Sequence, residues 1–239
     1  MVVRWVMAIK YLIYDLDDTL VSDVLNQQGA FQFLLRFLNI PYREELFFKW
    51  HQFDQDYWKK EIYKTIKVPE EYQKNKESYT EYVRSQRFAL FFKTDFPFLL
   101  NQVYQQGLFS CIVPILDAYE TVSSLACYYP SYISTNGVSE VAKYKLKQLQ
   151  LDSFIEGIFS ADMTTHTVTK AREEFWEELI QFFQIKQTKE YLVIGDNYRD
   201  DVCTPKKLGF QTCYFSSDYM PDFQGDYQIQ HLRELKKIV

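Results

Sequence analysis

The sequence has few cysteines, and their pattern excludes two classes of protein. Four are present among 239 residues, and no two of them form a CxxC pair. This density is far below that of a secreted disulfide scaffold, and the spacing does not supply the paired thiolates of a structural zinc site. We therefore expect reduced and mostly buried thiols at Cys111, Cys127, Cys203 and Cys213.

The chain also lacks an excess of positive charge and long apolar runs. The formal net charge is -5, whereas binding to a nucleic acid polymer relies on clustered Lys and Arg. No stretch approaches the roughly 20 apolar residues that cross a bilayer. We expect a cytoplasmic protein without a nucleic acid or membrane partner, and the sequence leaves its oligomeric state open.

The beginning of the chain is apolar but lacks the features of a signal peptide. Lys10 interrupts the apolar stretch, no small-residue cleavage site follows, and the chain runs directly into the acidic segment that starts at Asp15. Met7 is an alternative start to Met1, because Met7 to Lys10 directly precede the first predicted strand.

Aromatic residues, in contrast, are abundant. The chain contains 20 Phe and 19 Tyr, within a composition of 47% hydrophobic and 25% charged residues that is typical of soluble globular proteins. Two interpretations of this excess stay open. The rings either fill an aromatic-rich core or line a pocket, a domain interface or an oligomer contact.

Alternating strand and helix patterns predict the main fold. Five short, apolar, β-rich runs have the character of strands buried on both faces. Helical periodicity separates the last four, for example from Val138 to Leu149 and from Ala171 to Phe183. This alternation indicates an α/β fold with a Rossmann-like parallel sheet. The predicted strands are Tyr11–Leu16, Ser131–Ser134, Phe154–Ser160, Tyr191–Ile194 and Gln211–Phe215.

A long helical region interrupts this α/β pattern. From Ser22 to Phe109 the apolar spacing is helical and no convincing strand occurs. We therefore predict an inserted all-helical domain over residues 22–109, and an α/β core built from residues 1–21 and 110–239. One apolar stripe of the insertion runs through Leu46, Trp50, Phe53, Tyr57, Trp58, Ile62 and Ile66.

Polar residues that could take part in catalysis or ligand binding follow four of the predicted strands. In an open parallel sheet, ligands bind beyond the carboxyl ends of the strands, so these residues are expected to converge. Each group alone is also common turn or helix-cap chemistry. Together they would form one anionic, cation-binding site with a single positive side chain. The groups are Asp15-Leu16-Asp17-Asp18-Thr19, Thr135-Asn136-Gly137, Lys170, and Gly195-Asp196 followed by Asp201.

This set resembles the four signature motifs of the haloacid dehalogenase superfamily, which occur in the same order. Those motifs are DxDxT, a Thr or Ser before Asn, a Lys, and GD followed by a second Asp. The resemblance extends from Tyr11 to about Phe215, and it implies that the insertion is the helical cap of subfamily I. There are two departures. Ala171 stands where many members have Pro, and Thr204-Pro205 replaces a small-residue helix start.

The resemblance implies a nucleophile and a magnesium site. Asp15 would attack phosphorus and form an aspartyl-phosphate. Mg²⁺ held by Asp15, the backbone carbonyl of Asp17 and Asp196 would relieve the repulsion between a carboxylate and a phosphate. Asp201 would accept hydrogen bonds from metal-bound waters or from Lys170.

The same resemblance assigns roles to the remaining motif residues. Asp17 would protonate the leaving alcohol and then deprotonate the hydrolytic water. Thr19 would brace the loop, and Asp18 is interpreted as a local cap. The groups that would bind the transferring phosphoryl oxygens are Thr135, Asn136 and Lys170.

Asp17 favours a phosphatase over a dehalogenase. The resemblance implies that dehalogenases lack a carboxylate at this position and need neither magnesium nor a proton donor. We therefore predict a Mg²⁺-dependent phosphomonoester hydrolase that acts on a small phosphorylated metabolite. A phosphomutase of the same fold and a noncatalytic binding protein remain alternatives.

The aromatic pattern of the insertion bears on the substrate. The segment from Trp50 to Trp58, with Arg87-Phe88, loosely resembles the cap of bacterial pyrimidine 5'-nucleotidase-like proteins. This resemblance implies a nucleoside monophosphate whose base stacks on an aromatic ring. Packing of these rings inside a helical core is the alternative.

Overall fold

The computed structural model describes residues 8–166 and 168–239, which form two compact units. The α/β unit comprises the chain up to Asp23 and from Ile112 to Val239, and the helical unit comprises Val24–Cys111. These limits lie within two residues of the predicted domain boundaries at 22 and 109. The alternative start at Met7 lies outside the described residues.

The α/β unit contains a six-stranded parallel sheet with the order β3-β2-β1-β4-β5-β6. This confirms the predicted fold class. The first predicted strand is two residues too long at its end. The third begins at Gly157 rather than at Phe154, because Asp152–Phe154 form a 3₁₀ turn. The strands are β1 (Tyr11–Tyr14), β2 (Ser131–Thr135), β3 (Gly157–Ser160), β4 (Tyr191–Gly195), β5 (Gln211–Phe215) and β6 (Tyr227–Ile229).

The sheet is buried on both faces, as its apolar strands require. In β1, Leu12 and Tyr14 belong to one hydrophobic cluster, whereas Ile13 between them belongs to the cluster on the other face. In β4, Ile194 and Val193 divide between the same two clusters. Burial of each such large apolar side chain contributes roughly 1.5–3 kcal/mol. Two-sided burial therefore holds the central strands, and the loops that follow them, in fixed positions.

Helices connect the strands of this unit. Ala142 and Leu146 of α6, and Phe175, Trp176 and Leu179 of α7, are buried in the clusters beside the sheet. A π-helical turn over Tyr198–Cys203 follows β4 and leads directly into the last helix. The helices are α5 (Ala118–Ala126), α6 (Ser139–Gln148), α7 (Glu173–Phe182) and α8 (Thr204–Lys207).

The helical unit contains no strand in the part of the chain described here. Its second helix ends earlier than the sequence stripe predicts. Glu61 adopts a left-handed conformation with φ of 55°, and Ile62–Thr65 form a separate 3₁₀ turn, so the extension through Ile66 is wrong. The helices are α1 (Asp23–Phe37), α2 (Glu44–Lys59), α3 (Lys76–Phe92) and α4 (Pro97–Ser110).

Aromatic rings fill the core of the helical unit. Trp50 is fully buried, and its ring stacks on Phe88 with a centroid distance of 4.8 Å. The buried Arg87 of α3 forms an ion pair with Asp54 of α2, and its guanidinium lies 5.4 Å from the ring centre of Trp58. Packing within this unit therefore accounts for part of the aromatic excess.

The described residues include no helix that is both long and apolar enough to cross a membrane. All four cysteines are free thiols. The expectation that they are mostly buried is wrong, because Cys213 alone is buried and Cys127 is exposed just beyond the end of α5.

Candidate active site

The predicted site residues meet at the carboxyl ends of β1, β2 and β4. The strand order reverses direction between β1 and β4, which is the position where open α/β sheets bind ligands. Asp15 follows β1, and its backbone N–H donates to the carbonyl of Ile194 in β4 at 2.8 Å. Asp196 follows β4. The pairing of these two strands therefore brings the two acidic loops together.

A buried lysine connects two of the acids. Lys170 is 2% exposed, and its ammonium donates to Asp15 and to Asp201, the latter at 2.7 Å. The indole of Trp176 donates to the carbonyl of Lys170 at 3.0 Å, which fixes the backbone at this position. The orientation of Asp15 is thus set from a loop 155 residues away in sequence.

Negative charge exceeds positive charge in this cluster. Burial raises the pKa of Asp15 above its usual range, and the charge and hydrogen bond of Lys170 offset this only in part. Burial and the charges of Asp15 and Asp18 raise the pKa of Asp196 to about 7. Burial likewise raises the pKa of Asp201 to about 7, against the effect of Lys170. The cluster therefore favours a cation or additional protons.

Lys170 remains charged in this environment. Burial by itself would lower its pKa, but the charges of Asp15 and Asp201, and its hydrogen bonds to them, outweigh burial and raise the pKa overall. An ammonium that stays protonated can cancel negative charge on a bound anion throughout a reaction.

Thr19 joins the two acidic loops. It is fully buried, and its hydroxyl lies 3.4 Å from Asp15 Oδ2 and 3.3 Å from Asp196 Oδ1. The same oxygen accepts from the backbone N–H of Asp196 at 3.1 Å. The predicted bracing role fits these contacts.

Gly195 allows Asp201 to approach the end of β4. A Cβ atom at position 195 would lie 2.2 Å from Cγ of Asp201, so no larger residue fits without displacement. Asp201 also accepts from the backbone N–H of Asn197 at 3.1 Å. The π-helical turn therefore folds back and places Asp201 under the loop that carries Asp196.

Three carboxylates could hold a metal ion. Asp15, Asp196 and Asp201 each offer an oxygen, and these oxygens lie within 4.8 Å of one another. Oxygen donors of this kind suit a hard cation such as Mg²⁺. Asp201 is fully buried and both of its oxygens accept hydrogen bonds, from Lys170 and Asn197, whereas Asp196 is partly exposed and contacts a side chain through Oδ1 alone, so Asp196 is the better placed of these two as a direct ligand.

Thr135 presents a hydroxyl at the end of β2. It is 1% exposed, and its oxygen accepts from the backbone N–H of Gly137 at 3.0 Å, which leaves its proton for another acceptor. A Cβ atom on Gly137 would lie 3.2 Å from Thr135 Oγ1 and 3.9 Å from Asp17 Oδ2. The carboxylate of Asp17 therefore lies beside the loop that follows Thr135.

Asn136, predicted to bind phosphate, is engaged within the protein. Its carbonyl oxygen accepts from the backbone N–H of Lys170 at 2.8 Å, and its amide donates to Asp200 at 2.8 Å. The side chain links the loops after β2, β3 and β4. Its direct contact with phosphate stays a prediction.

Two contacts of the first motif complete the site. Asp18 accepts from the backbone N–H of Asp23 at 2.9 Å, at the first residue of α1, which fits the expected cap. Lys145 of α6 forms an ion pair with Asp17 that the sequence did not indicate. A lysine on an amphipathic helix is ordinarily a solvent-facing residue, so position alone gave no signal.

The fold and these residues define an α/β protein with a buried acidic site at the carboxyl ends of its strands. The haloacid dehalogenase-like hydrolase model matches residues 9–209. The chain belongs to this family.

Similar proteins span nearly the whole chain. YfnB of Bacillus subtilis strain 168, named as a HAD-hydrolase, is 24% identical over 236 residues, covering 96% of this chain and 95% of YfnB. A crystal structure of YfnB bound to magnesium matches with a TM-score of 0.77, covering 97% of this chain and 98% of that one.

More distant structures include enzymes of two kinds. A dehalogenase structure matches with a TM-score of 0.69 at 18% identity, covering 98% of each chain. A HAD phosphatase from Thermococcus onnurineus matches with a TM-score of 0.57 at 21% identity, covering 96% of this chain and 97% of that one. The shared fold therefore does not by itself choose between dehalogenation and phosphate ester hydrolysis.

Proposed function

We propose that this chain is a Mg²⁺-dependent phosphomonoester hydrolase that acts through an aspartyl-phosphate on Asp15. One observation carries the proposal: a second carboxylate, Asp17, lies beside the Thr135 loop, and its charge contributes to the raised pKa of the buried Asp15. A halide leaves without a proton, whereas an alkoxide leaving from phosphorus needs one. A carboxyl group at this position therefore supports ester hydrolysis.

In the first proposed step, a carboxylate oxygen of Asp15 attacks phosphorus and the bond to the leaving oxygen breaks. Asp17 gives its proton to that oxygen, so an alcohol departs. The Lys170 ammonium and the Thr135 hydroxyl bind the phosphoryl oxygens, whose negative charge they stabilise. The product is an aspartyl-phosphate, an acyl phosphate on Asp15.

In the second step, water cleaves that acyl phosphate. The Asp17 carboxylate takes a proton from water as the water oxygen attacks phosphorus, and the bond to Asp15 breaks. Inorganic phosphate leaves, Asp15 is again a carboxylate, and Asp17 again carries its proton. Both steps use the same two carboxyl groups in alternating roles.

Magnesium fits the carboxylate cluster of Asp15 and Asp196. Bound there, it would supply positive charge that reduces repulsion between the nucleophile and the phosphate. The raised pKa of Asp196, to about 7, supports this assignment because the acids lack sufficient positive charge of their own. The magnesium bound to YfnB also supports it.

The substrate is proposed to be a small phosphorylated metabolite. Of the rings that suggested nucleotide binding, Trp50, Tyr57 and Phe88 are fully buried in the helical unit and are not available to stack on a base, whereas Phe53 and Trp58 are partly exposed. Comparing turnover of UMP and dUMP with that of glycolate and sugar phosphates tests the nucleotide option. No preference for nucleotides would contradict it.

We also propose a cytoplasmic location with no nucleic acid polymer as partner. The four free thiols and the net charge of -5 support these assignments.

The primary test is hydrolysis of p-nitrophenyl phosphate with and without Mg²⁺, with Asp15→Asn as the inactive control. We expect Mg²⁺-dependent release of phosphate by the wild type alone. Release of halide from a 2-haloacid without Mg²⁺, or inactivity on a broad panel of phosphates, would contradict the proposal. Retention of the phosphoryl group on a product sugar would instead favour the phosphomutase alternative.

A further inference from the structure

We propose that Lys145 is a positioning residue for Asp17, holding one oxygen of this carboxylate so that the other faces the transferring phosphoryl group. This inference rests on the proposed function, because it assigns a partner to the proton-transferring group of that mechanism. Its starting point is the ion pair between Lys145 and Oδ1 of Asp17, which are 128 residues apart in sequence.

The position of Lys145 on α6 differs from that of its neighbouring lysines. The Lys145 side chain is 16% exposed, whereas that of Lys143 is 58% exposed and pairs with Glu140 one turn away. Lys147 is also exposed. Lys145 is thus the α6 lysine that turns inward, and its charge is matched by an acid of the candidate site.

The helix that carries Lys145 is firmly anchored. Ala142 and Leu146, on either side of Lys145, are 2% and 1% exposed in the cluster beside the sheet. Side chains of a helix lean toward its N-terminus, and α6 begins just after β2, at the edge where Asp17 lies. A long side chain at position 145 can therefore reach back to the site from a fixed helix.

The contact divides the two oxygens of Asp17 between different tasks. Lys145 binds Oδ1, whereas Oδ2 lies on the side of the Thr135–Gly137 loop, within 3.9 Å of where a Cβ on Gly137 would be. Asp17 is partly exposed, with 39% of its side chain accessible, so without a partner it would be free to rotate. Fixing Oδ1 directs Oδ2, the oxygen that carries the proton in the first step, toward the phosphate-binding loop.

The test exploits the proton requirement of the leaving group. An alkyl phosphate needs a proton donor to leave, whereas p-nitrophenolate leaves readily without one. The value of kcat/KM should be measured for glycerol phosphate and for p-nitrophenyl phosphate. Lys145→Met should lower kcat/KM for the alkyl ester about tenfold or more, since misplacement of a reacting group can reduce rates by about 10²-fold. The aryl ester should lose less than about threefold.

Three further variants separate positioning from stability. Lys145→Arg should restore most of the alkyl activity because it supplies a long cation, and Lys143→Met is the matched control on the same helix. In the Asp17→Asn background, Lys145→Met should have no additional effect, as expected when one residue acts through the other. Thermal unfolding of each variant checks that it is folded.

The possible failures are distinguishable. If the wild type hydrolyses neither these two esters nor any other member of a broad panel of phosphates, the proposed function fails. If it hydrolyses both, an equal loss for the two esters, no loss, or an additive effect with Asp17→Asn overturns the role of Lys145 alone. A larger loss for p-nitrophenyl phosphate than for glycerol phosphate would also overturn it.

Discussion

Buried charge occurs in both units of this chain, but the two units balance it differently. In the helical unit, Arg87 and Asp54 pair one to one within an aromatic core. In the α/β unit, the three carboxylates of Asp15, Asp196 and Asp201 gather around the ammonium of Lys170. A matched pair needs nothing further, whereas unmatched carboxylates raise one another's pKa values and call for a cation. Imbalance of charge, rather than burial of charge, marks the candidate site.

The largest effect is expected at the nucleophile. Asp15→Asn removes the attacking carboxylate and should lower kcat on the order of 10⁴-fold or more. The exposed Asp152→Asn is the matched control and should retain activity. Hydrolysis of p-nitrophenyl phosphate measures both, and an active Asp15→Asn variant would place the chemistry elsewhere.

Substitutions in the aromatic core of the helical unit should lower the free energy of unfolding. Trp50→Ala removes the ring around which Phe31, Phe88 and Tyr104 pack, and should destabilise folding by about 3–5 kcal/mol. The partly exposed Trp58→Ala should have a smaller effect. Denaturant unfolding monitored by circular dichroism measures both, and equal losses would mean that the core is not centred on Trp50.

Gly195 tests the close approach on which the site depends. Gly195→Ala places a methyl group against Asp201 and should destabilise folding by about 1–3 kcal/mol, as overpacking does. Because Asp201 holds Lys170, activity should fall as well. Gly157→Ala is a control in β3, where the added Cβ would meet the edge of the Phe183 ring instead. Loss of stability without loss of activity in Gly195→Ala would separate the packing of Asp201 from its role in the site.

The pH dependence of magnesium binding should be the smallest of these effects. The pKa values of Asp196 and Asp201 are raised from 3.8 to about 7 in the folded protein. Without metal, proton binding to these two carboxyl groups stabilises the folded state. This stabilisation is fully present below about pH 4 and is lost as the pH rises through about 7. Magnesium bound to Asp15 and Asp196 must displace the proton of Asp196.

We therefore expect the apparent affinity for Mg²⁺ to increase about tenfold or more between about pH 6 and about pH 8. Thermal unfolding across a Mg²⁺ titration at each pH measures this affinity. Asp196→Asn should weaken binding at both pH values. An affinity that does not change with pH would show that the acids are already ionised without metal.

Site residues at the ends of strands could be predicted from the sequence, whereas Lys145, which only a tertiary contact brings to the site, could not. Asp15, Thr135 and Asp196 could be selected because parallel strands end at one edge, where their loops must converge. Lys145 could not, since its helical position is ordinary and its partner lies 128 residues away.

Local backbone geometry limited the fold prediction in a similar way. The left-handed conformation of Glu61 ends α2 although the apolar spacing continues to Ile66. The edge strand Tyr227–Ile229 is only three residues long and was not predicted, because so short a run has no detectable period.

The most direct test of the account is detection of the covalent intermediate. Wild-type protein mixed with substrate and Mg²⁺, quenched in acid and digested, should contain a phosphorylated peptide with the modification on Asp15. The Asp15→Asn protein should contain none. A phosphoryl group found on another residue, or turnover without any phosphorylated peptide, would contradict the assignment of Asp15 as the nucleophile.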